Sequence, residues 1–550
     1  MFINFSDLEK TKPRVLIVEN KPSTRVANQS LLMEWGYEPV LAMGAGASLI
    51  ADAKRQAEEK RCSLALIDLR ILDDDDEQDT SGLTLAEEMS DKLYPIILSG
   101  YENFNAIIKM LKELQTKKIE IGFVKKTEGP FALKTTLDEE AAKATASKRK
   151  LIFENLEILD EILKSPFGKN ITEYPDQLVD VFARLFPNAK KLRLEKLDLR
   201  PASSNVSTVP RPNSVVLKVY EENYEPFVVK LARSEKIIKE VKNYTNHIHR
   251  RLTGYFSARL ERDASLWDIG GAAYSYVGEF DVTTFSRFYE EKTSPEIDEC
   301  LGAFFTRIWG RHYEQAHDEV NVSLFNLYSQ VWDNWYEKRK DDFFRTRFKG
   351  SNLLGAERSI PEPIQWFKEK IATPSNDVSI VEKTRVGVTH GDLHGDNLLV
   401  DTQKNVWVID FERCGEGHIL QDFIELEADI FNRLEEHNEN FPAYLEMCDT
   451  ILKQEQIQGF DESEIASEDP RIEKALKTIS KLRALARQHT KITDAREYLY
   501  GLLFNMMFRA AMIYKTDPQK NERPLLLAGL ICNRLDHWGR PWPPIEQDLS

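Results

Sequence analysis

A chain of 550 residues with 42% apolar and 10% aromatic residues can build sizeable interiors and is too long for one core. Its formal net charge of −16 excludes nucleic-acid binding through a basic surface. Five scattered cysteines (Cys62, Cys300, Cys414, Cys448, Cys532) without C-x-x-C spacing point to a reducing, cytoplasmic setting without a zinc site, and the opening Met1-Phe2-Ile3-Asn4-Phe5 lacks the basic and apolar segments of a signal peptide.

In chain order, Arg14–Asn20, Ser63–Asp68, Tyr94–Gly100 and Ile121–Lys126 read as short apolar strands that end in polar residues. Helical patterns separate them around Ser23–Trp35, Gly82–Lys92 and Asn103–Leu114. Alternating strands and helices predict a doubly wound parallel sheet whose strand ends converge on one site. That site collects Glu19, Asp68, Ser99 and Lys126. The run Asp73-Asp74-Asp75-Asp76-Glu77 reads as a solvated acidic loop.

Residues 12–135 resemble the receiver domain of bacterial response regulators, a flavodoxin-like fold. The resemblance implies phosphorylation of Asp68 by a histidine kinase or another phosphodonor, Mg2+ held by Glu19 and Asp68, and switch roles for Ser99, Lys126 and Phe123. Asn20 departs from the pattern: it stands where the family carries the acid that binds the metal directly, which removes one charge.

Residues 136–189 read as a helical linker. Thr135–Lys164 contains no Gly or Pro and predicts one or two long helices. Ile152, Leu156, Leu159 and Leu163 give an apolar stripe that either packs on a domain or supports a homodimer. A second helix, Asp176–Phe186, ends before Pro187.

Residues 190–280 carry the marks of an ATP-binding lobe. Ser214–Tyr220 and Glu225–Leu231 form a strand–turn–strand pattern, and Lys230 ends a β-branched run as the phosphate-binding lysine of a kinase does. Ser234–His249 reads as a helix on which Glu240, or alternatively Glu235, pairs with Lys230. The turn expected over the phosphates, Arg200-Pro201-Ala202-Ser203-Ser204-Asn205-Val206, has no glycine; Ser203 and Ser204 are its candidate phosphate contacts, and Pro201 removes one amide donor.

Residues 281–545 read as a catalytic lobe, centred on His390-Gly391-Asp392-Leu393-His394-Gly395-Asp396-Asn397 and Val408-Ile409-Asp410-Phe411. Phosphoryl transfer from a nucleotide needs a carboxylate to orient the attacking hydroxyl and oxygen ligands for Mg2+ on the phosphates. Asp392, Asn397 and Asp410 supply these at the H-x-D-x-x-x-x-N spacing of kinase catalytic loops, with a hairpin between Asn397 and Asp410. Tyr498–Tyr514 contains Asn505 and Arg509 and reads as a buried helix, not a membrane span.

Residues 190–545 resemble the aminoglycoside phosphotransferase and choline kinase-like group of the protein-kinase-like fold, and 386–427 resembles a bacterial branch, the ternary complex associated kinase-like domains. The resemblance implies Asp392 as catalytic base, Asn397 and Asp410 as metal ligands, and Asp422 as an acid that anchors the loop, with His394 and Asp396 shaping it. The expectation is an α/β receiver fused to an α+β kinase-like phosphotransferase that uses ATP and Mg2+ on an unknown, small-molecule acceptor. The alternative is a signalling pseudokinase in which both domains are binding modules.

Overall fold

A computed structural model describes residues 11–73, 75–76, 78–100, 121–164, 174–196, 214–222, 225–252, 258–276, 282–343, 360–372, 383–434, 441–513 and 518–543. The expected helix Asn103–Leu114 and the candidate phosphate contacts Ser203 and Ser204 lie outside the described residues. The chain forms two compact units: Met1–Asp198, Thr208–Val241 and Arg259–Tyr276 make the first, and Leu199–Ser207, Lys242–Ala258 and Val277–Ser550 the second.

The first unit holds two sheets. One comprises β1 (Arg14–Val18), β2 (Glu38–Leu41), β3 (Leu64–Asp68), β4 (Tyr94–Ser99) and β5 (Gly122–Lys125), all parallel, in the flavodoxin-like order β2-β1-β3-β4-β5. Its inner strands are continuous apolar runs because helices cover both faces. Leu16, Val18, Ala65 and Ile67 enter one core, while Val15, Ile17, Leu64 and Leu66 enter the other. The flanking helices are α1 (Pro22–Glu34), α2 (Gly46–Lys60), α3 (Ser81–Met89) and α4 (Gly129–Ala144). The sequence pattern misses β2 and α2. β2 is four residues long and contains a proline, and α2 buries only Leu49, Ala53 and Ala57 amid charged neighbours.

The expected helical linker is corrected. After α4 come a short turn α5 (Ala146–Arg149), a strand β6 (Ile152–Glu154) and a helix α6 (Leu156–Lys164). Lys150 and Asn155 bracket the strand with φ of +57° and +63°, which no continuous helix accommodates. Asn155 Nδ2 donates to Leu194 O at 2.9 Å and fixes the break. Of the expected stripe, Leu159 is buried in the neighbouring core, Leu156 and Leu163 are partly buried against it, and Ile152 is exposed on β6. Helix α7 (Asp176–Leu185) follows as expected.

Strand β6 extends the second sheet, which also contains β7 (Lys191–Lys196), β8 (Ser214–Glu221), β9 (Phe227–Arg233), β10 (Leu260–Ser265) and β11 (Ile269–Ser275), in the order β10-β11-β9-β8-β7-β6. Helix α8 (Ser234–Asn243) leaves β9 directly and runs into a π-helical turn, Tyr244–Ile248.

The second unit is mainly helical. It contains β12 (Thr283–Thr284), β13 (His317–Val320), β14 (Lys383–Thr389), β15 (Leu398–Val400), β16 (Val406–Val408) and β17 (Gly415–His418), in two three-stranded sheets ordered β12-β15-β16 and β13-β14-β17. Helices Gln421–Asp429, Pro470–Thr490 and Ala495–Ile513 pack beneath them. Asn505 lies buried on the last helix, and no helix among the described residues is long and apolar enough to cross a membrane. The fold class is therefore mixed α/β, with a receiver-type parallel sheet, a kinase-like sheet that is antiparallel except where β6 joins β7 in parallel, and a helical unit.

Candidate functional site

Two groups of polar residues stand out in the first unit. At the carboxyl ends of the parallel strands, Lys126 Nζ lies 2.9 Å from Asp68 Oδ2 and 3.0 Å from Glu19 Oε2. Glu19, Asp68 and Ser99 are buried, as expected where four strand ends converge. Burial pushes the Asp68 pKa up to about 6; the charge on Glu19 adds to this and Lys126 opposes it. Burial pulls Lys126 down, but Asp68 and Glu19 outweigh it and hold the ammonium above its ordinary range. Gly82 lets α3 close over the pocket, since a side chain there would lie 1.9 Å from Asp68 O.

Asn20 Oδ1 is buried and accepts no hydrogen bond, while its Nδ2 donates to Arg70 O at 3.4 Å. Oxygens from Glu19, Asn20 and Asp68 are the donor type that a hard divalent cation takes. The set therefore fits Mg2+, with one charge fewer than two acids and Asp68 would supply. Phe123 is partly buried on β5 against the core of Leu16 and Ile67. In the acidic run, Asp73 and Asp76 accept from the nearby amides of Asp75 and Gln78, as a solvated loop does.

On the antiparallel sheet, Lys230 Nζ lies 2.7 Å from Glu240 Oε2, with side chains 7% and 1% exposed. Tyr274 OH donates to the other oxygen of Glu240. Glu235, the alternative partner, is largely exposed beside Arg233. The pair forms because β9 delivers Lys230 to the sheet face against which α8 packs Glu240.

In the second unit, β14 leads into the loop and the hairpin β15–β16 follows it, with Leu398 opposite Val408. Asn397 Nδ2 donates to Asp392 O at 2.8 Å, and Ile409 N donates to Asn397 O at 3.1 Å. Asn397 is thus tied to Asp392 and to Ile409, the residue before Asp410, and Asp410 follows in the left-handed region at φ +70°. A non-glycine residue is strained there, although the short polar side chain of an Asp tolerates that region better than most. Asp422 anchors the loop from below. Its carboxylate accepts from His390 N, Gly391 N and Tyr313 OH, each at 3.0 Å. Burial pushes the Asp422 pKa up against these bonds. Asp396 accepts from Ser286 Oγ at 2.7 Å and His394 Nδ1 accepts from Asp396 N, so both shape the loop.

Arg413 was not singled out by sequence. Its Nη1 donates to Asp392 Oδ1 at 2.9 Å. Burial pushes Asp392 up, but Arg413 and then His394 outweigh it, while Asp410 works against them, and the carboxylate is held below its ordinary range. Gly391, at φ +76°, admits this contact: a side chain there would lie 2.4 Å from Arg413 O. No spacing rule marks Arg413, and Tyr274 and Tyr313 are equally silent because their partners are remote in sequence. Asn243 Nδ2 donates to Phe411 O and Glu412 O at 3.3 and 2.8 Å, bracing the segment after Asp410.

The class these features define is a kinase-like fold joined to a receiver-type sheet. Comparison with known proteins adds three findings. The profile of ternary complex associated domain 9 matches residues 334–507. A 3-deoxy-D-manno-octulosonic acid kinase of Vibrio vulnificus (strain YJ016) is 35% identical over 78 residues, 12% of this chain and 33% of the relative. The chain thus spans about a third of the length of the curated relatives it matches. Among solved structures, a response regulator from Thermotoga maritima aligns with 24% of this chain and 97% of its own at 16% identity and a TM-score of 0.19. The GDP complex of aminoglycoside 2'-phosphotransferase-IIIa aligns with 66% and 99% at 12% identity and a TM-score of 0.38.

Proposed function

We propose that the chain is a receiver-regulated phosphotransferase that moves the γ-phosphoryl group of ATP to a hydroxyl of a small molecule. The observation that carries this is the hydrogen-bonded tie of Asn397 to both Asp392 and the residue before Asp410. Asp392 orients the attacking hydroxyl and takes its proton, and Lys230, braced by Glu240 and Tyr274, holds a phosphate oxygen. Asn397 and Asp410 would hold Mg2+, which neutralises charge on the phosphates when bound. A small acceptor fits the short path from Asp410 through β17 to the helix at Gln421, which leaves no room for a long activation segment. It also agrees with the small-molecule acid in the name of the matched Vibrio kinase.

In the same reading, an Asp68 carboxylate oxygen attacks the phosphorus of a phosphohistidine or small phosphodonor and forms an acyl phosphate as the donor's P–N or P–O bond breaks and the donor group leaves, with Lys126 and Ser99 beside it; Glu19, Asn20 and Asp68 would hold the Mg2+ that offsets the phosphoryl charge. The deciding experiment is calorimetric titration of ATP into the full chain with and without Mg2+. Mg2+-dependent binding in the parent chain that weakens strongly in Asp410→Asn is expected. Equal affinity in both removes Asp410 from the metal site.

A second reading, a signalling pseudokinase, draws on Arg413: a guanidinium on Asp392 competes with an incoming hydroxyl for the same oxygen. It requires nucleotide binding without turnover in both the parent chain and Arg413→Ala.

A further inference from the structure

Helix α7 is buried on nearly every side: Gln177, Leu178, Val179, Asp180, Val181, Phe182, Ala183 and Leu185 are all inaccessible. A helix buried all round lies between two layers. One layer is the antiparallel sheet. A side chain at Gly271 of β11 would lie 2.8 Å from Leu185 Cδ1 and 2.9 Å from Val181 Cγ1, so α7 rests on bare strand backbone. Gly271 pairs with Leu231, and its neighbour Ala272 pairs with Lys230. The helix therefore sits one strand away from the phosphate-binding lysine.

The other layer is the receiver-type domain. Ala146 N, just beyond the end of α4, donates to Asp180 Oδ1 at 2.9 Å. At its other end, α4 begins three residues after Lys126, the residue that bridges Glu19 and Asp68. The 16 residues of α4 thus join the pocket to α7 over about 24 Å. Arg184 bridges the two layers directly. Its Nη1 donates to Ser265 O at 3.2 Å in β10 and to Lys92 O at 3.3 Å ahead of β4, and its guanidinium lies 4.8 Å from the Tyr94 ring centroid.

Further pins hold the opposite end of the parallel sheet. Arg14, at the start of β1, pairs with Asp176 at 2.6 Å; Arg61 pairs with Asp268 at 2.6 Å; and Trp267 Nε1 donates to Cys62 O at 2.9 Å. All grip residues at or before the starts of strands, whereas the pocket lies at their ends. With that base fixed, a displacement of α4 cannot be absorbed by sliding the whole domain.

We propose that α7 is the relay by which the state of the Asp68 pocket reaches the strand carrying Lys230, with Asp180, Arg184 and the bare backbone of Gly271 as its couplings. The proposal rests on the regulated-phosphotransferase reading and names its route. A phosphoryl group on Asp68 adds negative charge beside Lys126 and changes the balance of its two ion pairs. The turn that carries Lys126 leads into α4, whose far end is tied to Asp180. The relay works only if the event favours one placement of α7 over another.

The test uses the full chain with Mg2+ and beryllofluoride as the phosphoryl mimic. Hydrogen exchange is followed in α7, β9 and β11, and Mg·ATP affinity is measured on the same samples. In the parent chain, beryllofluoride is expected to change protection in α7 and β9 and to move ATP affinity by about 5- to 150-fold, the usual range for coupled sites. Asp180→Ala and Arg184→Met should keep the response of α3 and β5 around the pocket and lose it in β9. Asp180→Asn, which keeps the acceptor for Ala146 N, should restore it. Gly271→Ala, which pushes α7 off β11 without touching the receiver-type sheet, serves if the other variants fail to fold. An unchanged β9 response in these variants, or a parent chain whose α7 ignores beryllofluoride, overturns the relay. Absence of ATP binding with an intact α7 response overturns the phosphotransferase reading and leaves the relay standing.

Discussion

The Asp68 pocket and the Asp392 loop each hold a carboxylate 2.9 Å from a cation, yet the two acids shift in opposite directions. Lys126 divides its charge between Asp68 and Glu19, and it cannot offset the burial of the first in the presence of the second. Arg413 makes its short carboxylate contact with Asp392, and His394 adds to it. Contact distance therefore does not decide protonation; the balance of all neighbouring charges against burial does. The difference suits the proposed roles. A carboxylate of raised basicity is a better nucleophile toward phosphorus, while one whose pKa is lowered stays ionised at neutral pH at the cost of being a weaker base.

The largest effect that can break this contrast is catalytic. Asp392→Asn should lower ATP-dependent turnover by about 10²–10⁴-fold while leaving nucleotide affinity nearly unchanged. Single-turnover hydrolysis measures it, and undiminished turnover places the base elsewhere.

Next comes the support of the loop by Asp422. Asp422→Ala strips three buried donors of their acceptor, at about 1–3 kcal/mol each. The expected loss of stability is about 3 kcal/mol or more, read as an earlier denaturant midpoint of the second unit. A midpoint close to that of the parent chain would mean that water replaces the carboxylate.

A smaller effect sharpens the contrast through pH. Because Asp68 is raised from 3.8 to about 6 in the fold, the native state holds the extra proton in that window, and stability falls as pH rises through it. Asp68→Asn should flatten this fall and leave the variant more stable than the parent above pH 6. Asp392 is lowered, so its contribution is present above 3.8 and is lost as pH falls through its folded pKa. Asp392→Asn should therefore remove stability at neutral pH. Denaturant titrations across pH that show the same sign for both variants would abolish the distinction.

The smallest effect is a control on surface charge. Lys54 and Glu88 pair at 2.7 Å with both side chains about half exposed. Lys54→Ala should change stability by less than about 0.5 kcal/mol, since solvent screens such pairs. A larger loss would show that the receiver-type sheet responds to charge in general and not to its pocket.

Much of this was legible in the sequence because it is local. The hairpin, the Asp392–Asn397–Asp410 spacing and the strands ending at Asp68, Ser99 and Lys126 follow from periodicity and motif within short windows. Lys230 and Glu240 were legible for the same reason, since they lie ten residues apart on a strand and the helix that follows it. The break at Lys150 and Asn155 was not, because the segment composition favours helix and only the open edge of β7 makes Ile152–Glu154 a strand. Likewise, only tertiary packing decided that the stripe of α6 packs against the neighbouring core, that Arg413 meets Asp392 and that α7 lies on Gly271. Sequence by itself determined which groups could act; long-range contacts decided which charges they share, because Coulomb forces and burial depend on distance in space, not along the chain.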